Sequence, residues 1–414
     1  MQKVLLAPAG SFESLSAALC NGASAVYFGV GKLNMRSRAT VNFTVEDLPE
    51  IAKRCHEKGV QAWMTLNTVI FDDELEEAEL LCKAAKKAGI DAVIAADTAV
   101  LEMAKREKLS IHLSVQANIT NLEAVKFYAK YADVMVLARE LNLQQIAAIC
   151  KGIRNEKITG PSGELVKIEV FVHGALCVAV SGKCYMSLAL FNSSANRGDC
   201  YQPCRRSYTV RDTANDNELA ITNHYVMSPS DICTIEILPR LLDAGVSVLK
   251  IEGRGRSADY VAKVTKTYRE AITMYENHIT PSQEQVQVWK KALGEVFNRG
   301  FWHGGYYLGE KIGEWACSGE NKAAKQKVLC GRVLNYFPKA KIVQVLLTSG
   351  EVKKEDVFLI TGPTTGAEEG ILSDFHANDV PAENASKGME ITFPFDKIVR
   401  KNDSFFLLVP REKI

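Results

Sequence analysis

Charge of one sign is what this sequence most lacks. Its 50 Lys and Arg stand against 49 Asp and Glu, a formal net charge of +1 over 414 residues. That balance excludes a uniformly basic nucleic-acid binder and leaves room only for a local basic patch. Long apolar runs are also missing. No stretch reaches the ~18 residues that span a bilayer, and the nearest, Val170 to Val180, is broken by His173 and Gly174. The apolar part of Met1–Gly10 is too brief for a secretory signal and reads as a first strand. A cytoplasmic setting with no membrane contact is expected, and nothing calls for an obligate protein partner. There is no HExxH zinc signature and no G-x-S-x-G nucleophile elbow. At 47% apolar and 24% charged residues the composition is that of a globular chain, and disordered or collagenous classes drop out.

Cysteine, by contrast, is abundant. Eleven thiols, an odd number without an export signal, make a poor disulfide framework. Cys177, Cys184, Cys200 and Cys204 crowd into one segment, with Cys233 shortly after. The remaining six, Cys20, Cys55, Cys82, Cys150, Cys317 and Cys330, are scattered and read as small core hydrophobes.

A repeated pattern organises the first 300 residues. Gly22, Gly59, Gly89 and Gly245 each close a helix and precede a short apolar strand. Eight strands are expected, near 3–7, 25–29, 61–66, 92–96, 110–114, 134–138, 167–172 and 247–251. Helix starts are expected at Thr120 with Glu123, at Asn142 with Gln145, and at Thr280-Pro281 with Gln283. Eight β–α units predict an α/β fold, a closed (β/α)8 TIM-like barrel. A doubly wound sheet is the alternative, because strand order cannot be read from sequence. The barrel is expected over 1–300, with the Cys-rich insertion at 174–233 and a linker at 301–326. Short strands with turn signals then predict a small β-barrel domain over 327–414.

Polar residues stand where the strands stop: Asn67, Asp97, Gln116, Arg139-Glu140, His173 and Glu252-Gly253-Arg254. The C-terminal face of a barrel gathers such side chains from many strands. Asp97 alone reads better as a helix cap. His173 is a candidate acid–base, a metal neighbour or a buried structural histidine. Glu252 is a candidate catalytic carboxylate or an ion-pair partner of Arg254. Arg139, Arg254 and Arg256, with Arg36 and Arg38 as further cations, can form bidentate pairs with an anion. Asn67 and Gln116 offer neutral hydrogen bonds. Tyr185 and Tyr201 offer ring faces for stacking or pack in a core. Lys250, Arg254, Arg256, Lys263, Lys266 and Arg269 form a candidate phosphate track or a solvated helix face.

Thiolates gathered in one loop repel and oxidise unless a metal takes them. Their gaps of seven, sixteen and four residues lack the paired short knuckles of structural zinc. An iron–sulfur site is the favoured reading, zinc the competitor, and no metal the third.

The chain resembles peptidase family U32, the collagenase-like proteins. The shared motifs are Leu5–Gly10, Ala23–Gly29, Leu113–Asn121, Val136–Asn142, Glu169–Cys177, Ser181–Cys184, Ala195–Arg205 and Val248–Ser257. Members with defined roles are oxygen-independent hydroxylases of tRNA uridine or ribosomal RNA cytidine, or act in ubiquinone synthesis. The domain layout is most similar to the prephenate-dependent tRNA hydroxylases. That resemblance implies 5-hydroxylation of the wobble uridine, a 4Fe–4S cluster, and prephenate and tRNA as small-molecule and macromolecular partners. It places the cluster on Cys177, Cys184 and Cys200, with Cys204 as the fourth ligand and Cys233 as its rival. A family peptidase and a ribosomal RNA hydroxylase are the alternatives it carries.

Overall fold

A computed structural model of the chain describes residues 3–38, 41–209, 211, 214, 227–303 and 321–411. Cys317 lies outside the described residues. Seven strands follow one another with helices between them: β1 (Val4–Pro8), β2 (Ala25–Gly29), β3 (Gln61–Leu66), β4 (Ala92–Ala95), β5 (Ser110–Leu113), β6 (Val134–Val136) and β7 (Lys167–Gly174). A short β8 (Asp231–Cys233) lies off the barrel, and β9 (Val248–Ile251) completes it. Because β9 pairs in parallel with both β7 and β1, eight parallel strands close into a cylinder. The barrel is the expected (β/α)8 architecture, with each strand within a residue or two of its expected place.

Burial explains why such segments become strands. Every residue of β2 and β4 is buried, because one side faces the barrel interior and the other the helices. Leu6, Tyr27, Trp63, Ile94, Val134 and Val248 pack inside the barrel. A larger apolar layer, including Phe28, Met64, Leu113 and Ile251, packs against the helices. The four repeat glycines all adopt positive φ, which a Cβ disfavours.

Two of the three expected helix starts shift. Asn142 and Gln145 form the expected reciprocal cap. The helix Leu122–Tyr128, however, is capped by Asn121 rather than Thr120, and Gln283–Gly294 by Ser282 rather than Thr280. Each true cap lies next to or near another capping-competent side chain, so composition alone does not choose between them.

A register irregularity near the end of β7 governs what faces the site. Phe171 pairs with Lys250, but His173 pairs with Ile251, so Val172 is a bulge. Lys250 faces inward and Ile251 outward, so the extra residue turns His173 away from the barrel mouth. There β8 runs antiparallel to β7, with β10 (Phe301–Trp302) alongside it. Cys233 lies on β8 and is buried.

Residues 325–410 form a separate all-β unit. Its long strand Lys325–Phe337 pairs antiparallel with Ile342–Leu347 and Ser404–Pro410 in an eight-stranded sheet, beside a two-stranded ribbon. Its own core includes Phe358, Phe393 and Phe405. The unit sits on helices Phe12–Cys20 and Ala258–Glu276. At Gly366, φ is +75° and an added Cβ would come within 2.8 Å of Ala17 N, so glycine permits the close approach. Across this junction Lys263 bridges Glu295 and Glu369, and Lys327 bridges Asp259. No described helix is long and apolar enough to cross a membrane.

Candidate active site

A cavity opens at the C-terminal end of the barrel, with about 970 Å³ of space that includes open solvent. Residues that follow five strands line it: Met35 and Arg36 after β2, Asn67 after β3, Ser114 and Gln116 after β5, Arg139 after β6, and Glu252 and Arg254 after β9. Tyr27, Phe171 and Lys250 reach it from within the strands, and Cys177, Cys184, Cys200 and Cys204 from the insertion.

Four cations, Arg36, Arg139, Lys250 and Arg254, thus line a cavity with one lining carboxylate, Glu252. Arg36 holds that carboxylate at 3.0 Å. Burial opposes the charge on Glu252, but Arg36, Arg256, Arg139 and Arg254 together outweigh it and hold the carboxyl below its ordinary range. Arg254 is 4% exposed. Its partners are neutral: Asn34 Oδ1 at 3.0 Å and Thr65 Oγ1 at 2.9 Å. Burial lowers its pKa to about 10. Gly29 makes room for it, since a Cβ there would lie 2.3 Å from its Nη1. Arg139 rests over the Phe171 ring at 5.5 Å, and its Nε is buried without a hydrogen-bond partner. Two guanidinium groups therefore face the cavity without an ion-pair partner among the described residues. Beside them, Asn67 donates to Ser114 Oγ at 3.0 Å and to Gln116 Oε1 at 3.4 Å.

The thiol-bearing insertion is pinned to the barrel loops by its own residues. Arg197 forms a double hydrogen bond with the buried Glu74 and stacks on Phe71 at 4.0 Å. Asn196 accepts from Cys184 N–H at 3.3 Å and, through its carbonyl, from Val69 N–H at 3.3 Å. Gly198 lies so close to Asn34 that a Cβ would meet its carbonyl oxygen at 2.1 Å. Arg205 donates to the carbonyl of Leu176 at 2.6 Å and to Ser228 Oγ at 3.0 Å.

Three of these sulfurs have a simple fit to an anionic, metal-bound state. Met186 N–H donates to Cys184 Sγ and Gln202 N–H to Cys200 Sγ, each at 3.4 Å. Ser187 Oγ donates to Cys200 Sγ at 3.8 Å, and Cys177 stands near the Arg36 and Arg205 guanidiniums. Cys204 also stands near Arg205, but burial outweighs that charge and pushes its thiol up to about 11. Among the described residues, no three His, Cys, Asp or Glu side chains converge on a point fit for a single metal ion.

Several expected positions fall elsewhere. His173 is 1% exposed and packs among Tyr260, Tyr268 and Phe301, with ring centroids 5.5–6.0 Å away. Burial lowers its pKa to about 3, and it does not line the cavity. Arg256 stacks on Phe297 at 3.5 Å, behind Glu252 rather than on the cavity wall. Cys233 faces Tyr268. Asp97 is a helix cap, accepting from Ala99 N–H and Ile70 N–H.

The phosphate track is corrected. Lys250 and Arg254 are buried, Lys263 is held by two glutamates, and Arg269 donates to Gly22 O and Ser24 Oγ. A run continuous in sequence is thus divided between the barrel interior, a domain junction and a helix–strand contact. Glu169 is a further charged residue of the barrel interior, and a carboxylate inside the apolar run Val166–Val172 is the sequence signal for it.

Fold and site together define a (β/α)8-barrel protein whose mouth carries a thiol-bearing insertion over a cation-rich cavity. Residues 10–316 match peptidase family U32, and the chain belongs to that family. A collagenase of Porphyromonas gingivalis is 46% identical over 409 residues, 99% of this chain and 98% of that protein. The tRNA hydroxylation protein P1 of Bacillus subtilis is 32% identical over 370 residues, 87% of this chain and 83% of that protein. A 23S rRNA 5-hydroxycytidine synthase of Escherichia coli is 38% identical over 269 residues, 65% of this chain and 39% of that protein.

Proposed function

We propose that this protein is an RNA hydroxylase that converts the tRNA wobble uridine to 5-hydroxyuridine without molecular oxygen. In this reading Cys177, Cys184, Cys200 and Cys204 hold a 4Fe–4S cluster, and prephenate is the co-substrate. The observation that carries it is the meeting of four thiols and four cations on one cavity at the barrel mouth. Relatives named for tRNA and ribosomal RNA hydroxylation support the reaction class. The four thiols line one cavity together, which supports a thiolate-held group there. Cys204 is favoured over Cys233 because it lines that cavity and Cys233 does not.

Such a cluster, when bound, supplies redox or Lewis-acid chemistry at the mouth. The protein's residues supply recognition. Arg139 and Arg254 offer paired N–H donors to a carboxylate. Asn67 and Gln116 present amides to the edge of an extruded base. Glu252, kept ionised by its arginines, accepts a base N–H.

The test is mass spectrometry of tRNA from a deletion strain, paired with iron analysis of anaerobically purified protein. Loss of 5-hydroxyuridine and about four irons per chain are expected. Unchanged tRNA with altered ribosomal RNA would redirect the substrate, and unchanged RNA of both kinds would defeat the reading. The 46% identical collagenase keeps peptide hydrolysis as a second reading. Against a thiol-protease pair, Cys177 and His173 make no hydrogen bond to each other. Peptide cleavage by iron-free protein would favour that second reading.

A further inference from the structure

The barrel interior holds a charged pair to which the reading above gives no role of its own. Lys250 Nζ and Glu169 Oε1 lie 2.7 Å apart on adjacent strands, with side chains 7% and 0% exposed. Their surroundings are mainly apolar and aromatic, including Tyr27, Trp63, Val134 and Val248. A fold does not need such a pair, since well-packed apolar residues commonly replace one without loss.

Each partner also has unused capacity. An ammonium has three N–H donors, and Lys250 spends one on Glu169, with no other hydrogen-bond partner among the described residues. It sits 4.6 Å from the Tyr27 ring centroid and 5.4 Å from that of Phe171, two faces that steer it without consuming a donor. Glu169 Oε2 is buried and has no partner. Lys250 lines the cavity from within its strand, deeper than Glu252 and Arg254, which follow the strand end.

We infer that Lys250 is the floor contact of the cavity, donating to an oxygen of a small carboxylate ligand, and that Glu169 is the positioning residue that holds it there. A ligand that meets both the floor ammonium and the guanidiniums nearer the mouth needs acceptors at two ends. The site therefore selects a dicarboxylate over a monocarboxylate. This rests on the proposed reading of the cavity as the co-substrate site.

The test is calorimetric binding of prephenate and of phenylpyruvate, its monocarboxylate counterpart, to anaerobically purified full-length protein. Wild type should prefer prephenate. Lys250→Met should weaken prephenate binding about ten- to hundred-fold, the range of one charge-assisted hydrogen bond, with iron content unchanged. Glu169→Gln, which keeps a hydrogen bond to Lys250, should cost less. The double variant Lys250→Met with Glu169→Leu removes the stranded carboxylate, so it should recover thermal stability but not prephenate binding. Wild-type affinity in the double variant would make the pair structural and overturn the inference. Wild type that hydroxylates RNA but binds neither carboxylate would also overturn it while sparing the hydroxylase reading. Absence of both would sink the two together.

Discussion

Two cations of the barrel mouth, Arg139 and Arg254, and those of the domain junction are treated in opposite ways by the fold. At the junction Lys263 touches Glu295 and Glu369, Lys325 touches Glu295, and Lys327 touches Asp259. Each charge there ends on a carboxylate. At the mouth Arg254 ends on two neutral oxygens, and Arg139 ends on a ring face. Burying a guanidinium without an anion is costly. The difference teaches that the junction charges are complete within the protein, while Arg139 and Arg254 are left for a partner from outside.

The sharpest way to break that comparison is Arg139→Leu. Among the described residues Arg139 makes no ion pair or hydrogen bond that the fold would miss. Its removal is expected to lower the proposed RNA hydroxylation about ten- to hundred-fold, the range for a charge-assisted contact to a ligand. The thermal midpoint should stay where it is or rise. Quantifying 5-hydroxyuridine in complemented cells, beside a melting curve, checks both halves. Full activity in Arg139→Leu would remove the distinction between mouth and junction.

His173 tests the boundary between the two classes. It is polar, ends a barrel strand and lacks an acidic partner, yet the Val172 bulge turns it away from the cavity. Its pKa falls from 6.5 to about 3 through burial. Below about pH 6.5 the unfolded chain binds a proton that the native state refuses. Its contribution is therefore fully present above that pH and is lost as pH falls toward 3, by up to about 1.4 kcal/mol per unit. His173→Phe should flatten the acid limb of a stability–pH curve measured by urea unfolding, and leave hydroxylation at neutral pH intact. Lost hydroxylation in a stably folded variant would return His173 to the site.

These cases also show what could be read before the fold was known. Asn67, Gln116, Arg139, Glu252 and Arg254 were visible because each interrupts an apolar run where a strand must stop, and the barrel brings such ends together. The facing of His173 was not visible, because it depends on register against β9. Lys250 was misplaced on an outer track for a related reason: its partner Glu169 lies 81 residues away in sequence. Charges inside apolar strands announce burial, but only the closed sheet shows that these two meet.

The smallest effect is expected at the junction. Lys263 is 20% exposed and shared by two glutamates that are themselves partly exposed, so the bridges gain modestly over water. Lys263→Met keeps most of the apolar stem and removes only the charge. It should cost about 1 kcal/mol or less, read as a small drop in urea midpoint that shrinks further in high salt. Hydroxylation should match wild type, because no atom of Lys263 reaches the cavity. A large activity loss at unchanged stability would mean that the all-β unit takes part in substrate recognition through this face. The junction charges would then belong with those of the mouth.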